Sequence, residues 1–164
     1  MIAETVLRRL RERGETLAVA ESLTGGLLAA TIVDVPGASA VFRGGLVVYA
    51  TDLKETLAGV PAALLAERGP VDPDVALALA RGACQRCGAG WGLATTGVAG
   101  PEPQAGVPVG TGYVACAGPG GVAEVRRLRG DGDRAAIRRG AVTAALELLR
   151  AALVITECGP GHPR

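Results

Sequence analysis

A chain of 164 residues with a formal net charge of +1 and 49% hydrophobic residues fits one domain around a single core, and it lacks the basic runs that would recruit nucleic acid or an anionic membrane by bulk charge. No apolar stretch reaches the roughly 18 residues of a membrane span, and the opening residues read as a charged helix rather than a secretory leader, so the expected location is the cytoplasm. Four cysteines in so aliphatic a chain read as reduced thiols rather than a disulfide framework.

In chain order, "MIAETVLRRLRERG" opens with an amphipathic helix, and "TLAVA" (16–20) reads as a buried strand. The polar word Glu21-Ser22-Leu23-Thr24-Gly25-Gly26 follows, and "GGLLAATIVDV" (25–35) reads as a helix closed by Pro36-Gly37. A second strand is expected at 44–49, then a short helix over 51–60 with Thr51 or Asp52 as its N-cap. Pro61 opens one further helix and Gly69 stops it; Asp72 caps the next, with Pro73 at its first position.

"WGLATTG" (91–97) reads as a third buried strand, followed by a Gly/Pro-rich loop. "TGYVACAG" and "VAEVRRLRG" flank Gly118-Pro119-Gly120-Gly121 as a hairpin, so one of those strands must oppose the rest. A long helix after Asp133 closes the domain, giving one domain over 1–153 and a frayed tail over 154–164.

Strands alternating with helices predict an α/β protein, a three-layer α/β/α sandwich whose sheet is mixed but mostly parallel. In such sheets ligands sit beyond the carboxyl ends of the parallel strands. Here those ends carry Ser22 to Gly26, Tyr49-Ala50-Thr51 and Thr96 to Gly100, three polar loops expected to converge.

Sixteen arginines accompany one lysine, Lys54. A lysine can lose its proton when desolvated, whereas arginine stays charged, so a general base is one role arginine cannot fill. Ser22 as a nucleophile needs a base, and the chain has neither a G-x-S-x-G elbow nor a histidine other than His162 in the tail. Lys54 is that base, unless it is a surface residue spared by chance. Ser22 and Thr24 also suit helix capping, while Gly25 and Gly26 open a turn whose N–H groups could hold an oxyanion.

Tyr49 either plugs the core or touches a substrate ring. Arg134 and Arg138 share one face at a helix start, where the dipole disfavours cations; they await a ligand phosphate or carboxylate, or they pair with Asp131 and Asp133. Cys84 and Cys87 form a lone CxxC with no second pair, so no metal site is expected and they read as small residues near a helix end.

With these residues assembled, the chain resembles the CinA C-terminal domain family, whose stand-alone members are nicotinamide-nucleotide amidohydrolases. The matching words are "AESLTGG" (20–26), "VPGAS" (35–39), "FRGGLVVYATDLKETLAGV" (42–60), "TTGVAGP" (95–101), "PVGTGYVA" (108–115) and "GDRAAIRRGA" (132–141). The resemblance implies hydrolysis of nicotinamide mononucleotide to nicotinic acid mononucleotide and ammonia, a step of pyridine nucleotide recycling, without metal or cofactor. It implies Ser22 as nucleophile, Lys54 as base and Tyr49 beside them. Thr24, Gly25, Gly26, Thr96, Gly97, Arg134 and Arg138 match positions then expected at the substrate, and Thr51, which keeps a hydroxyl where the family differs, is expected beside them.

The chain departs from the family pattern at Leu23, at Ala50-Thr51, at Glu102-Pro103-Gln104-Ala105 and at Val107, where the family usually has cysteine, Ser-Asn, a glycine pair and lysine. The nucleotide-hydrolysing N-terminal domain of larger relatives, with its metal-dependent activity, is not expected in this chain. Two other functions fit the same residues: a non-catalytic nucleotide-binding or regulatory module, and an amidase for another small amide. The expected partners are a small nucleotide and, from the apolar composition, further copies of the chain, a dimer first.

Overall fold

Five strands lie in the order β2-β1-β3-β4-β5, where β1 is Leu17–Glu21, β2 Phe42–Val47, β3 Trp91–Gly97, β4 Thr111–Gly118 and β5 Val122–Arg129. In this computed structural model, which describes residues 1–157, β1 pairs in parallel with both β2 and β3, while β4 runs antiparallel to β3 and to β5. Only β4 opposes the others, so the sheet is mixed and mostly parallel. Six helices cover it: α1 (Ile2–Glu12), α2 (Leu27–Val33), α3 (Thr51–Thr56), α4 (Ala62–Arg68), α5 (Pro73–Cys87) and α6 (Arg134–Glu157).

Strand alternation sorts the core into two layers with different side chains. Leu17 and Val19 of β1, Trp91 and Leu93 of β3 and Val114 and Cys116 of β4 pack with α1, α2 and α6. The alternate residues Ala18, Ala20, Ala94, Ala115 and Ala117 meet α5. Gly92 belongs to this small-residue floor, because a Cβ there would run into the Ala80 carbonyl of α5. Large side chains thus fill one interface, and alanine and glycine let α5 sit close to the sheet on the other. The result is the three-layer α/β/α sandwich.

Several boundaries differ from those the sequence predicts, each for a local reason. Gly25 (φ 57°) and Gly26 (φ 102°) are left-handed, so α2 starts at Leu27 rather than Gly25. The N-cap of α3 is Ala50, with no side-chain cap; Thr51 and Asp52 are its first two helical residues, where the Asp52 carboxylate suits the positive helix end. Asp72 does cap α5, accepting from the N–H groups of Asp74 (2.8 Å) and Val75 (3.3 Å).

The strand expected at 44–49 runs from Phe42 to Val47, which puts Tyr49 beyond its end. Of the tail expected to fray from 154, residues 154–157 belong to α6, held by Arg13, whose Nη1 donates to the Leu153 carbonyl (3.0 Å) and to Thr156 Oγ1 (2.9 Å). Residues 158–164, with Cys158 and His162, lie outside the described residues.

Candidate active site

At the end of β1 the chain turns from Glu21 through Ser22 into α2. Glu21 is fully buried, and its carboxylate accepts the N–H groups of Leu28 (2.8 Å) and Ala29 (3.0 Å), so the helix start carries its own anion. The next residue is anchored to β3, the Ser22 N–H donating to the Thr95 carbonyl at 3.0 Å. A buried pair between the Thr24 and Thr95 hydroxyls, 2.7 Å apart, clamps the same turn.

Lys54 reaches Ser22 from α3. Its side chain is among the largest fully buried ones, with 1% of the residue exposed, and Nζ donates to Ser22 Oγ at 3.0 Å and to the Val48 carbonyl at 2.7 Å. No carboxylate compensates this ammonium among the bonds it makes. Burial therefore lowers its pKa from 10.5 to about 8. The Val48 bond also orients Nζ: a neutral amine can keep one N–H on that carbonyl and turn its lone pair toward Ser22 Oγ.

Ser22 and Lys54 open into a cavity also lined by Tyr49, Thr51, Thr96, Gly97 and Arg134. Arg134 bridges its rim, Nη1 donating to the Gly100 carbonyl (2.6 Å) and Nη2 to the exposed Tyr49 hydroxyl (3.0 Å). Tyr49 is thus a rim residue held by Arg134. Thr96 lines the wall while its hydroxyl donates to the Pro70 carbonyl at 2.6 Å, tying β3 to the loop before α5.

Thr24, Gly25, Gly26 and Arg138, expected at the substrate, do not line this cavity. Arg138 stands behind the turn, Nε donating to the Leu23 carbonyl (2.9 Å) and Nη2 to that of Thr24 (2.7 Å). Of the Gly25 and Gly26 N–H groups expected to hold an oxyanion, that of Gly25 is already spent on the Ser22 carbonyl at 3.0 Å, and Glu21 holds the N–H groups of Leu28 and Ala29. Neither arginine pairs with Asp131 or Asp133; Asp133 instead accepts the Ala136 N–H at 2.8 Å and caps α6.

Four further residues shape the site, of which the sequence marks only Glu102 and Gln104, and those only as departures from the family pattern. Glu21 and Thr95 build the turn, and Glu102 and Gln104 line the cavity. For Glu21 the signal in the sequence is a carboxylate closing an otherwise apolar strand just before a helix. Away from the cavity, burial raises the Cys84 thiol pKa and pushes Cys116 up to about 12, which keeps both thiols protonated. Among the described residues no helix is long and apolar enough to cross a membrane, and no group of three His, Cys, Asp or Glu is placed to hold a metal.

The model of the CinA C-terminal domain family matches residues 1–153. A CinA-like protein of Frankia casuarinae is 52% identical over 164 residues, covering 96% of this chain and 38% of its own length. One from Anaeromyxobacter sp. (strain Fw109-5) is 54% identical over 151 residues, covering 90% of this chain and 36% of its own. The chain therefore spans a little over a third of the curated relatives it matches. Among solved structures, a CinA superfamily protein from Klebsiella pneumoniae superposes with a TM-score of 0.90 at 32% identity, covering 94% of this chain and 96% of that one. Competence/damage inducible protein CihA from Agrobacterium tumefaciens gives 0.84 at 36% identity, with coverage of 94% and 96%. Agreement in sequence over nearly the whole chain, and in the path of the backbone, makes this protein a member of the CinA C-terminal domain family.

Proposed function

We propose that this protein is an amidohydrolase that converts nicotinamide mononucleotide to nicotinic acid mononucleotide and ammonia, with Ser22 as nucleophile and Lys54 as general base. One observation carries the reading: a buried lysine with a lowered pKa lies 3.0 Å from a serine oxygen at the floor of a cavity. Neutral Lys54 Nζ takes the Ser22 hydroxyl proton as Oγ bonds to the carboxamide carbon. The resulting ammonium returns that proton to the amide nitrogen, the C–N bond breaks, and ammonia leaves. Lys54 then deprotonates a water, whose oxygen bonds to the acyl carbon; the bond from that carbon to Oγ breaks, Lys54 returns the proton to Ser22 Oγ, and the carboxylate is released.

For the oxyanion, the suitable donor is the N–H of Leu23, the cavity-lining residue after the nucleophile, whose N–H takes no acceptor among the described residues. Arg134 is the cation for the substrate phosphate, since the oxygens it holds are neutral.

Ammonia release from nicotinamide mononucleotide by purified wild type, Ser22→Ala and Lys54→Arg tests the assignment. Both variants should lose at least about a thousandfold in kcat, because either partner alone leaves the pair idle. Wild-type turnover in either would overturn the nucleophile and base roles of this pair. Nucleotide binding without ammonia release by the wild type would instead favour the non-catalytic module, and release only from other amides would change the substrate.

A further inference from the structure

Besides Lys54, two side chains of opposite charge line the cavity without an ion-pair partner among the described residues, Arg134 and the exposed Glu102. Arg134 donates only to the Gly100 carbonyl and the Tyr49 hydroxyl, and Glu102, which lines the same cavity, has no hydrogen bond or ion pair among the described residues. The two do not pair with each other. The loop that carries Glu102 is nonetheless anchored on both sides. Before it, Gly100 is held by Arg134 at 2.6 Å; after it, Gln104 and Val107 exchange backbone hydrogen bonds of 3.2 and 2.8 Å. A carboxylate is therefore presented to the cavity from a braced loop.

An arginine and a carboxylate that line one cavity without pairing complement a ligand that is itself a zwitterion. We propose that Glu102 is a specificity-determining residue that selects a positively charged ring, an N-substituted pyridinium carboxamide, over a neutral one. This rests on the amidohydrolase reading. A quaternary ring nitrogen supplies the cation that faces Glu102, and an anionic phosphate on the N-substituent faces Arg134. The same ring charge withdraws electrons from the carboxamide carbon, so the group that Glu102 recognises is also the one that makes the amide easier to attack.

The test uses a matched pair of ligands. Nicotinamide mononucleotide and its reduced dihydropyridine form share the carboxamide, ribose and phosphate, and only the oxidised form has a cationic ring. In calorimetry on Ser22→Ala, which cannot turn over, the oxidised form should bind about two- to fivefold tighter than the reduced form. Adding Glu102→Gln should abolish that preference while leaving the affinity for the reduced form unchanged, and raised salt should shrink it in Ser22→Ala alone.

An equal loss for both ligands would assign Glu102 to a sugar hydroxyl or to loop structure and overturn the proposal. So would an unchanged preference, or no binding of either form. Ammonia release by the wild type separates the two readings: release without a charge preference overturns only the Glu102 assignment, and a charge preference without release overturns only the amidohydrolase.

Discussion

Lys54 is the residue on which the proposed chemistry turns, and its cost and its proposed use have the same cause. Removing an ammonium from water without a carboxylate partner destabilises the charged form, which lowers the pKa to about 8 and leaves a useful fraction of free amine near neutrality. The sign follows directly. In the proposed mechanism the active form is the deprotonated one, so kcat/KM should rise about tenfold per pH unit below 8 and level off above it. A pH profile of ammonia release checks this, and a flat profile between pH 6 and 9 would remove Lys54 as the base. Arginine at this position could make the same hydrogen bonds but could not give up its proton.

At the scale of elements, the candidate site depends on how close α5 lies to the sheet, because the loop before α5 carries Pro70, the acceptor of the Thr96 hydroxyl. That approach is set by the small-residue floor of Ala18, Ala20, Gly92, Ala94, Ala115 and Ala117. Gly92→Ala places a methyl group against the Ala80 backbone, which cannot swing aside as a side chain would. It should destabilise the fold by about 1–3 kcal/mol, read as a lower urea midpoint with an unchanged slope. On the opposite layer the same single methyl at Gly140 inside α6, where the added Cβ meets nothing within 4 Å, should act in the other direction and stabilise the helix by about 0.5–1 kcal/mol.

Across the whole molecule, the C-terminal helix is wired to the N-terminal turn that carries Ser22, the proposed nucleophile. Arg138 reaches 115 residues back to the Leu23 carbonyl and 114 back to that of Thr24, and Arg134 reaches Gly100 and Tyr49 on two other loops. Arg138→Gln removes the charge and the fork while its residue stays off the cavity wall. It should destabilise the fold by about 1–3 kcal/mol and lower kcat, with KM for nicotinamide mononucleotide nearly unchanged, because the turn that aims Ser22 loosens while the substrate's contacts remain. Denaturation together with Michaelis kinetics checks both halves. A large rise in KM alone would put Arg138 in contact with substrate.

Most of the architecture is legible in local pattern. β3, β4 and β5 lie where the apolar runs and the Gly118 to Gly121 turn predict, and Asp72 with Pro73 marks the start of α5, because turn and cap chemistry act over a few residues. Lys54 stands out by composition, as a single lysine among arginines, and the loops at the strand ends identify the edge on which Ser22 emerges. Which residues meet there is decided only by tertiary structure. Glu21 holds the N–H groups of Leu28 and Ala29 at the helix start, Arg138 braces the turn from behind, and Glu102 enters the cavity from a distant loop. Pairings between groups so far apart in the chain leave no periodicity behind, since they are set by the close packing of the two layers against the sheet.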